Sequence, residues 1–278
     1  MNISRPSKIS VVIPVYNERA TVEEILHRVQ AVNLDKEIII VDDCSSDGTR
    51  EFLTDLAEQA AQNGGNAAFL SSGCALSANN IRTFFQDKNR GKGAALQRAF
   101  KEVRGEIIII QDADLEYDPN EYHDLIRPIE RGVADVVFGS RFLGGPHRVL
   151  FFWHSLGNRL LTTLSNVLTD LNLTDVWTCY KAFKREVLQT IDLEEDRFGF
   201  EPEITAKVAR GRWRVYEVPV SYNGRTYAEG KKITWKDAIR GVWCSFRYAA
   251  FVRDPKAYSL PRAKTYWPQG SLERRGEG

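Results

Sequence analysis

The stretch Glu106–Glu121, EIIIIQDADLEYDPNE, decides the fold predicted for this chain. Its four consecutive isoleucines favour a β-strand buried on both faces, because β-branched side chains are stiff and pack well on a pleated sheet. The apolar run ends abruptly at Asp112 and Asp114, which one small residue separates. The DPNE sequence at 118–121 has the residue types of a helix cap, a first helical residue and a capping-box partner. An acidic loop is therefore predicted between a buried strand and a helix, where open α/β sheets bind their ligands.

Similar apolar runs alternate with amphipathic patterns through the N-terminal half of the chain. The predicted strands are Ile9–Val15, Glu37–Asp42, Ile81–Phe85, Ile107–Gln111 and Ala134–Gly139. The predicted helices between them are Thr21–Val32, Thr49–Ala61, Gly93–Val103 and Asn120–Arg131. Such alternation implies right-handed crossovers and a mainly parallel sheet with helices on both faces. The predicted fold class is α/β and Rossmann-like.

The pattern changes after the Gly-Gly-Pro sequence at 144–146. We expect one domain over residues 1–257, with a first half of about 1–144 and a second half of about 145–257. The second half is predicted to contain longer amphipathic helices, strands near 177–183 and 213–220, and a helix near 201–210. Residues 62–80, rich in Gly, Ala, Ser and Asn, predict a mobile surface insertion. The tail 258–278 has prolines and charges without periodicity and is expected to pack loosely.

Composition excludes several classes of function. The 38 basic and 37 acidic residues nearly balance, so the chain has no global attraction to nucleic acid. The four cysteines are too scattered for a zinc site and too few for a secreted disulfide framework. The N-terminus lacks the pattern of a secretion signal, and no run of roughly 18 uncharged apolar residues predicts a membrane span. We therefore expect a cytoplasmic protein whose contact with a membrane, if it makes one, is peripheral.

Three predicted strand ends meet at one edge of the sheet. Asp112 and Asp114 present hard oxygen ligands suited to Mg²⁺ or Mn²⁺, which in turn would hold a substrate diphosphate. Tyr16, after the first strand, can stack on a nucleoside base. Asp43, after the second strand, can accept a hydrogen bond from a base N–H or a ribose hydroxyl. For Asp42 or Asp43 taken singly, a turn or helix cap is the alternative interpretation.

The sequence NRGKGAA at 89–95 brings glycines and cations to the start of a helix. Backbone N–H groups and the helix dipole favour anions there, so a phosphate contact by Lys92 is predicted. Tight packing of a short loop is the alternative. The spacing matches neither a P-loop nor G-x-G-x-x-G, which argues against NTP hydrolysis and dinucleotide redox chemistry.

The ordered motifs IPVYNE, VDDCSSDGT, NRGKGAAL, DADLEYDP and GSRF resemble those of family 2 glycosyltransferases with a GT-A fold. The resemblance extends over about residues 9–251 and is strongest to the branch that loads sugars onto polyprenyl phosphates, the dolichol-phosphate mannose synthases. It implies metal-dependent, inverting transfer of a hexose, mannose or glucose, from GDP-mannose or UDP-glucose to a dolichyl or undecaprenyl phosphate. The alternatives are a polysaccharide or other hydroxyl acceptor, or a nonenzymatic module that binds sugar nucleotides.

The resemblance also implies roles for individual residues. The nucleotide sugar would contact Pro14, Tyr16, Glu18, Val41, Asp43, Lys92, Asp112, Ala113, Asp114 and Arg141. The metal would be held by Asp112, Asp114 and Glu116, and the residues expected to carry catalysis are Asp112, Asp114, Arg225 and Lys231. The acceptor phosphate would meet Arg148, Arg225 and Lys231. Glu201 and Glu203 are base candidates for a hydroxyl acceptor, with ordinary helix-start residues as the alternative.

Two amphipathic patterns, at 149–167 and 239–250, combine aromatic residues with arginines. Such helices suit a membrane interface, which a lipid acceptor requires. Burial against the sheet is the alternative for most of their apolar residues. The expected partners are a membrane surface and, as an anchor, a membrane protein.

Overall fold

The computed structural model describes residues 8–62, 68–69, 75–149, 151–226 and 235–251. The strands are β1 (Ile9–Val15), β2 (Lys36–Asp42), β3 (Ala68–Phe69), β4 (Ala75–Leu76), β5 (Ile81–Phe85), β6 (Ile107–Ile110), β7 (Val136–Ser140), β8 (Lys181–Lys184) and β9 (Val215–Pro219). The helices are α1 (Val22–Ala31), α2 (Thr49–Gln62), α3 (Lys92–Phe100), α4 (Tyr122–Glu130), α5 (Phe152–Thr169), α6 (Arg185–Gln189), α7 (Phe200–Arg210) and α8 (Trp235–Phe246). A π-helical turn, Arg247–Phe251, continues α8. The predicted elements outside the 62–80 and C-terminal segments are present, with ends that differ by a few residues.

The main sheet has seven strands in the order β5-β2-β1-β6-β8-β7-β9. β1 pairs in parallel with β2 and β6, and β7 pairs in parallel with β9, whereas β8 is antiparallel to both β6 and β7. The predicted mainly parallel α/β fold is therefore confirmed. Two strands of the second half, β8 and β9, complete the sheet that the first half begins. The change of pattern at 144–146 is thus not the end of the sheet.

The isoleucine run of β6 explains why this strand has no polar face. Ile107 and Ile109 belong to one hydrophobic cluster, and Ile108 and Ile110 belong to the other cluster across the sheet. All four side chains are at most 4% exposed. Each isoleucine buried in this way stabilises the fold by roughly 1.5–3 kcal/mol. Because the sheet is anchored on both faces here, the loop that follows β6 starts from a rigid position.

Two predicted segments differ from the structure or extend beyond it. The strand predicted near 177–183 begins only at Lys181, because the chain turns before it, where the Tyr180 N–H donates to the Thr178 hydroxyl at 3.2 Å. Within the predicted insertion 62–80, β3 and β4 form a short antiparallel pair. The remainder of the insertion, at 63–67 and 70–74, and the tail 258–278 lie outside the described residues.

Candidate active site

A cavity of about 380 Å³ opens at the carboxyl ends of β1, β2 and β6. The predicted site residues in its wall are Pro14, Tyr16, Glu18, Asp43, Lys92, Asp112, Ala113, Asp114, Glu116, Arg141 and Arg225. The structure therefore brings together residues as far apart in the chain as Pro14 and Arg225. Further wall residues, which the motifs did not single out individually, are Val15, Asn89, Gly91, Ala95, Tyr117, Trp177, Cys179, Arg197, Phe198 and Tyr222.

Two other predicted site residues that the structure describes, Val41 and Arg148, are not part of this wall. Val41 is fully buried in the hydrophobic cluster on one face of the sheet. Arg148 is exposed, and its guanidinium donates to the carbonyl oxygen of Gly224 at 3.2 Å. Lys231 lies outside the described residues. Arg148 therefore lies near the segment that carries Arg225, since Gly224 directly precedes Arg225.

The two neighbouring aspartates after β2 have different roles. Asp42 is fully buried, and its carboxylate accepts the Ser45 N–H at 3.2 Å. Asp42 is therefore a turn cap, which was the alternative interpretation of this residue. Asp43 lines the cavity and accepts the backbone N–H groups of Arg90 at 2.9 Å and Gly91 at 2.6 Å. Burial raises the pKa of Asp43, and these two N–H groups oppose that rise. Asp43 thus fastens the glycine-rich loop to the end of β2.

The glycine-rich loop is shaped by close packing. Gly91 has φ of 106°, a left-handed conformation that favours glycine. A Cβ on Gly93 would lie 2.0 Å from the Glu195 carbonyl oxygen, so a larger residue cannot fit. The Ala94 N–H donates to the Asp196 carbonyl at 3.0 Å. The tight-packing alternative therefore accounts for both glycines, and any phosphate contact in this loop remains a prediction about the Lys92 side chain.

Lys92 forms an ion pair in the cavity wall. Its ammonium lies 2.6 Å from Oδ1 of Asp112, and both side chains are about 15% exposed. Burial works to raise the pKa of Asp112, but the adjacent Lys92 ammonium outweighs it and lowers that pKa. The reciprocal effect raises the pKa of Lys92 against its own burial. Both groups are therefore charged at neutral pH.

Arg225 lies among three carboxylates of the wall. Its guanidinium is 2.9 Å from Asp114, 3.3 Å from Glu18 and 3.5 Å from Glu116. Burial, together with the charges of Asp112 and Glu116, raises the pKa of Asp114 to about 7, although Arg225 acts in the opposite direction. The wall therefore gathers the carboxyl groups of Glu18, Asp112, Asp114 and Glu116, which Arg225 and Lys92 together only partly compensate. Such a site favours an added cation.

Glu116 connects the acidic loop to the segment after β9. Its carboxylate accepts the backbone N–H of Arg225 at 2.8 Å and the hydroxyl of Tyr222 at 3.0 Å. A second connection is made by Glu121, which accepts the Ser221 N–H at 2.8 Å. The capping-box role predicted for Glu121 is therefore wrong, because a distant backbone N–H takes its carboxylate. The cap itself is confirmed, since the carboxylate of Asp118 accepts the Asn120 N–H at 3.0 Å at the start of the short 3-10 helix Pro119–Glu121, which leads into α4.

The acidic loop fits a divalent cation by the chemistry of its donors. Among the residues that the structure describes, no three His, Cys, Asp or Glu side chains are grouped to hold a metal ion. The predicted set of Asp112, Asp114 and Glu116 is thus not assembled around one point, and Glu116 is engaged by Tyr222 and Arg225. Mg²⁺ is commonly bound by one or two carboxylates with substrate phosphates supplying further oxygens. Asp112 and Asp114 match that arrangement.

Arg141 presents a fixed cation in the cavity wall. Its guanidinium binds the buried Asp175 carboxylate through two contacts, at 2.6 and 2.8 Å, and lies 5.0 Å from the centre of the Tyr222 ring. A bidentate pair of this kind fixes the plane of the guanidinium. Arg141 can therefore contact a bound anion without reorienting.

Some wall residues had no local signal in the sequence. Arg197 and Phe198 belong to a segment that folds back onto the start of α3, and this contact joins positions about a hundred residues apart. Trp177 and Cys179 lie in the turn before β8, which was predicted as strand. The chain reads DVWTCYK at 175–181, where the resembling branch commonly has a Ser-Gly-Phe step; that departure concerns the sugar preference and did not predict the turn.

The architecture is that of the GT-A glycosyltransferases. Glucosyl-3-phosphoglycerate synthase from Mycobacterium tuberculosis, crystallised with Mn²⁺, UDP and glucosyl-3-phosphoglycerate, superposes with a TM-score of 0.62 at 18% identity, covering 89% of this chain and 81% of that one. The same enzyme with Mg²⁺ and UDP gives a TM-score of 0.60 at 19% identity, covering 89% of this chain and 81% of that chain. At these identities the comparison establishes the fold. The family model for glycosyl transferase family 2 matches residues 10–192, and the chain belongs to this family.

Several relatives of known name share most of the chain. The dolichol-phosphate mannosyltransferase of Pyrococcus furiosus is 29% identical over 81% of this chain and 59% of its own length. Glycosyltransferase AglD of Haloferax volcanii is 28% identical over 84% of this chain and 35% of its own length. The undecaprenyl-phosphate 4-deoxy-4-formamido-L-arabinose transferase of Photorhabdus laumondii is 27% identical over 83% of this chain and 65% of its own length. The chain thus spans less than two thirds of each of these relatives.

Proposed function

We propose that the protein transfers a hexose, mannose or glucose, from a nucleotide-diphosphate sugar to a polyprenyl phosphate with inversion at the anomeric carbon. The observation that carries the proposal is the cavity in which Asp112, Asp114 and Arg225 converge beside Tyr16. Relatives named for transfer to dolichol phosphate and undecaprenyl phosphate support the acceptor class.

The donor is proposed to lie along the cavity from Tyr16 to the acidic loop. Tyr16 is 38% exposed, so one ring face can receive a base. Asp112 and Asp114 would hold Mg²⁺ or Mn²⁺, which supplies compensation for the diphosphate charge that grows as the sugar leaves. Arg225 is positioned to add positive charge near the same oxygens, and Arg141 can add it from another part of the cavity wall. Preorganised charge of this kind stabilises a leaving diphosphate.

An anionic acceptor agrees with the state of the two base candidates. Glu203 is fully buried and pairs with Lys207 at 2.9 Å, and Glu201 is buried and pairs with Lys181. Neither is among the wall residues of the cavity. A phosphate acceptor is already ionised at neutral pH and needs no strong general base, whereas a hydroxyl acceptor requires one. This favours the polyprenyl phosphate over a hydroxyl acceptor.

A surface for lipid is proposed on α5 and α8, which pack against each other. Side chains that a soluble core would bury are open to solvent there, including Phe152 at 68%, Trp153 at 75% and Trp243 at 63% exposure. Burial against the sheet is therefore the wrong interpretation for these aromatics. Exposed apolar patches of this kind mark interaction surfaces. Exposed arginines on the same helices, Arg159 and Arg240, would favour anionic lipid.

No helix in the part of the chain that the structure describes is long and apolar enough to span a bilayer.

The proposal is tested by assaying purified protein with a donor panel that includes GDP-mannose and UDP-glucose, with and without a short-chain polyprenyl phosphate. Reactions with Mn²⁺, with Mg²⁺ and with a chelator run in parallel. Transfer that requires both the polyprenyl phosphate and a divalent metal is expected. Transfer only to free sugars, polysaccharide or protein would overturn the acceptor, and full activity in the chelator would overturn the metal. A matched sample of Asp114→Asn controls for contaminating transferase.

A further inference from the structure

Four charged side chains of alternating sign run from the cavity wall into the core. Asp112 and Lys92 are 2.6 Å apart at the wall. Behind them lie Glu201, on α7, and then Lys181, at the start of β8. The Lys181 side chain is fully buried and that of Glu201 is 5% exposed. Buried charges are costly unless they are paired, so this row is a built feature of the fold.

The two oxygens of Glu201 are used unequally. Oε2 accepts the Lys181 ammonium, which also donates to the carbonyl oxygens of Val176 and Thr178. Oε1 is buried and has no hydrogen-bond partner. Its nearest cation is the Lys92 ammonium, at 3.9 Å. Buried carboxylate oxygens without a partner are rare in folded proteins, so this one needs an explanation.

A divalent cation would compete with Lys92 for Asp112. The Asp112 oxygen that Lys92 contacts is one that a divalent cation would take under the proposed function. A divalent cation at this oxygen would repel the ammonium, which weakens the contact of Lys92 with Asp112. A flexible four-carbon stem lets the lysine ammonium move, and closing 3.9 Å to a charge-assisted contact needs a shift of only about 1 Å.

We propose that Glu201 is a second ion-pair partner for Lys92. When a divalent cation with the donor diphosphate occupies Asp112, the Lys92 ammonium moves from Asp112 to Oε1 of Glu201. Glu201 is thus a positioning residue that acts through Lys92, and it does not touch substrate. Lys181 remains on Oε2, because its carbonyl contacts fix it. This inference rests on the proposed function only in assuming that Asp112 receives a divalent cation.

The test is the affinity for Mn²⁺, measured by electron paramagnetic resonance with and without saturating GDP or UDP. Glu201→Gln keeps the shape of the side chain, but its amide has a single acceptor oxygen, which Lys181 holds, so its NH₂ group would face Lys92. We expect about tenfold weaker Mn²⁺ binding, the effect of losing one charge-assisted contact. Glu201→Asp keeps the charge but shortens the reach, and an intermediate loss is expected.

The decisive comparison is a double-mutant cycle with Lys92→Met. Without the ammonium no second ion-pair partner is needed, so Glu201→Gln should change Mn²⁺ affinity less than about twofold in that background. If the wild-type protein binds Mn²⁺, an equal loss in both backgrounds, or no loss in either, would overturn the role of Glu201 alone. If the wild-type protein binds no Mn²⁺ at all, the metal dependence of the proposed function fails, and the role of Glu201 fails with it. Mn²⁺ binding by the wild-type protein therefore distinguishes the two failures.

Glu203→Gln provides the matched control for a buried carboxylate on the same helix. Glu203 pairs with Lys207 at 2.9 Å and is not paired with Lys92. Its replacement should lower the thermal unfolding temperature about as much as Glu201→Gln does, without weakening Mn²⁺ binding. Equal weakening by both variants would mean that α7 acts only as a structural support, which would also overturn the proposal.

Discussion

The guanidinium of Arg225 lies 2.9 Å from the carboxylate of Asp114, 111 residues earlier in the chain. This contact joins the segment after β9 to the acidic loop after β6, and the two strands run in the same direction and end at the same edge of the sheet. Arg225 neutralises part of the negative charge in the absence of a bound cation. Because the same guanidinium is also proposed to contact the donor diphosphate, ligand binding has to redistribute its partners among Glu18, Asp114 and Glu116.

Replacing Asp114 tests the acidic loop directly. Asp114→Asn should leave the fold intact, since the residue lies on a loop at a strand end, and should remove most turnover by weakening the metal that bridges the donor phosphates. Initial rates at limiting and saturating Mn²⁺, with circular dichroism as the folding check, measure this. Near-normal rates at both Mn²⁺ levels would contradict the assignment.

Replacing Arg225 separates a catalytic charge from a structural one. Arg225→Ala should lower kcat by on the order of tenfold or more, because a preorganised charge on the leaving diphosphate is lost. Arg28→Ala is the control, since Arg28 pairs only on the surface of α1, with Glu24 at 2.7 Å. If Arg225→Ala changed the melting temperature while kcat stayed at the wild-type value, its role would be structural.

Helix α8 packs against Trp177, a residue of the cavity wall. A Cβ on Gly241 would lie 2.1 Å from the Trp177 ring, which lines the cavity, so Gly241→Ala must displace that ring. We expect weaker donor binding, by several-fold, measured by calorimetry with the nucleoside diphosphate and the nucleotide sugar. Gly157→Ala on α5 is the matched control, because nothing lies within 4 Å of its added Cβ. That control should bind normally and gain up to about 1 kcal/mol from helix propensity.

Sequence patterns predicted what depends on neighbouring residues. The strands β1 and β5 have the predicted ends, Asp118 caps the short 3-10 helix Pro119–Glu121 that leads into α4, and Asp42 caps a turn, which is its alternative interpretation. The period of apolar residues and the residue types of caps and turns all involve a few neighbouring positions, so a short stretch of sequence is enough to predict them.

What the sequence did not predict depends on contacts between distant segments. Glu121 binds Ser221, 100 residues away, in place of its local partner. Gly93 is required by the Glu195 carbonyl, and Arg197 reaches the cavity through the same fold-back. The exposure of Trp153 is equally invisible locally, because an amphipathic pattern has the same period whether its apolar face meets a sheet or a lipid surface.

Acid stability should depend on Asp135, a fully buried carboxylate at the start of β7. Burial acts to raise its pKa, but hydrogen bonds from Arg214 and Lys184 lower it from 3.8 to about 2. The carboxylate therefore stabilises the fold fully above pH 3.8, and this contribution is lost as the pH falls toward 2. By linkage it amounts to roughly 2 kcal/mol at neutral pH.

Asp135→Asn should lower the free energy of unfolding at pH 7 by at least that amount, because Arg214 and Lys184 lose their buried partner. The difference between variant and wild type should shrink as the pH is lowered from 4 to 2. Urea unfolding followed across this pH range gives both quantities. A difference that did not depend on pH would show that the ionisation of Asp135 makes no contribution.

Binding to lipid is the last expectation, and it follows from the apolar surface on α5 and α8. Vesicles with anionic lipid should recruit the protein in a salt-sensitive manner, since arginines near a charged surface contribute about 1 kcal/mol each and are screened by salt. Replacing Phe151, Phe152 and Trp153 with serine should weaken cosedimentation by about tenfold or more, because large apolar side chains no longer enter the headgroup region. Transfer to a long-chain polyprenyl phosphate in vesicles should fall with it, while binding of the nucleotide sugar should stay unchanged.

Tyr216→Ser is the matched control, since Tyr216 is 45% exposed but lies on β9. Equal loss in the control, or recruitment unaffected by the triple replacement, would place the lipid contact elsewhere on the protein.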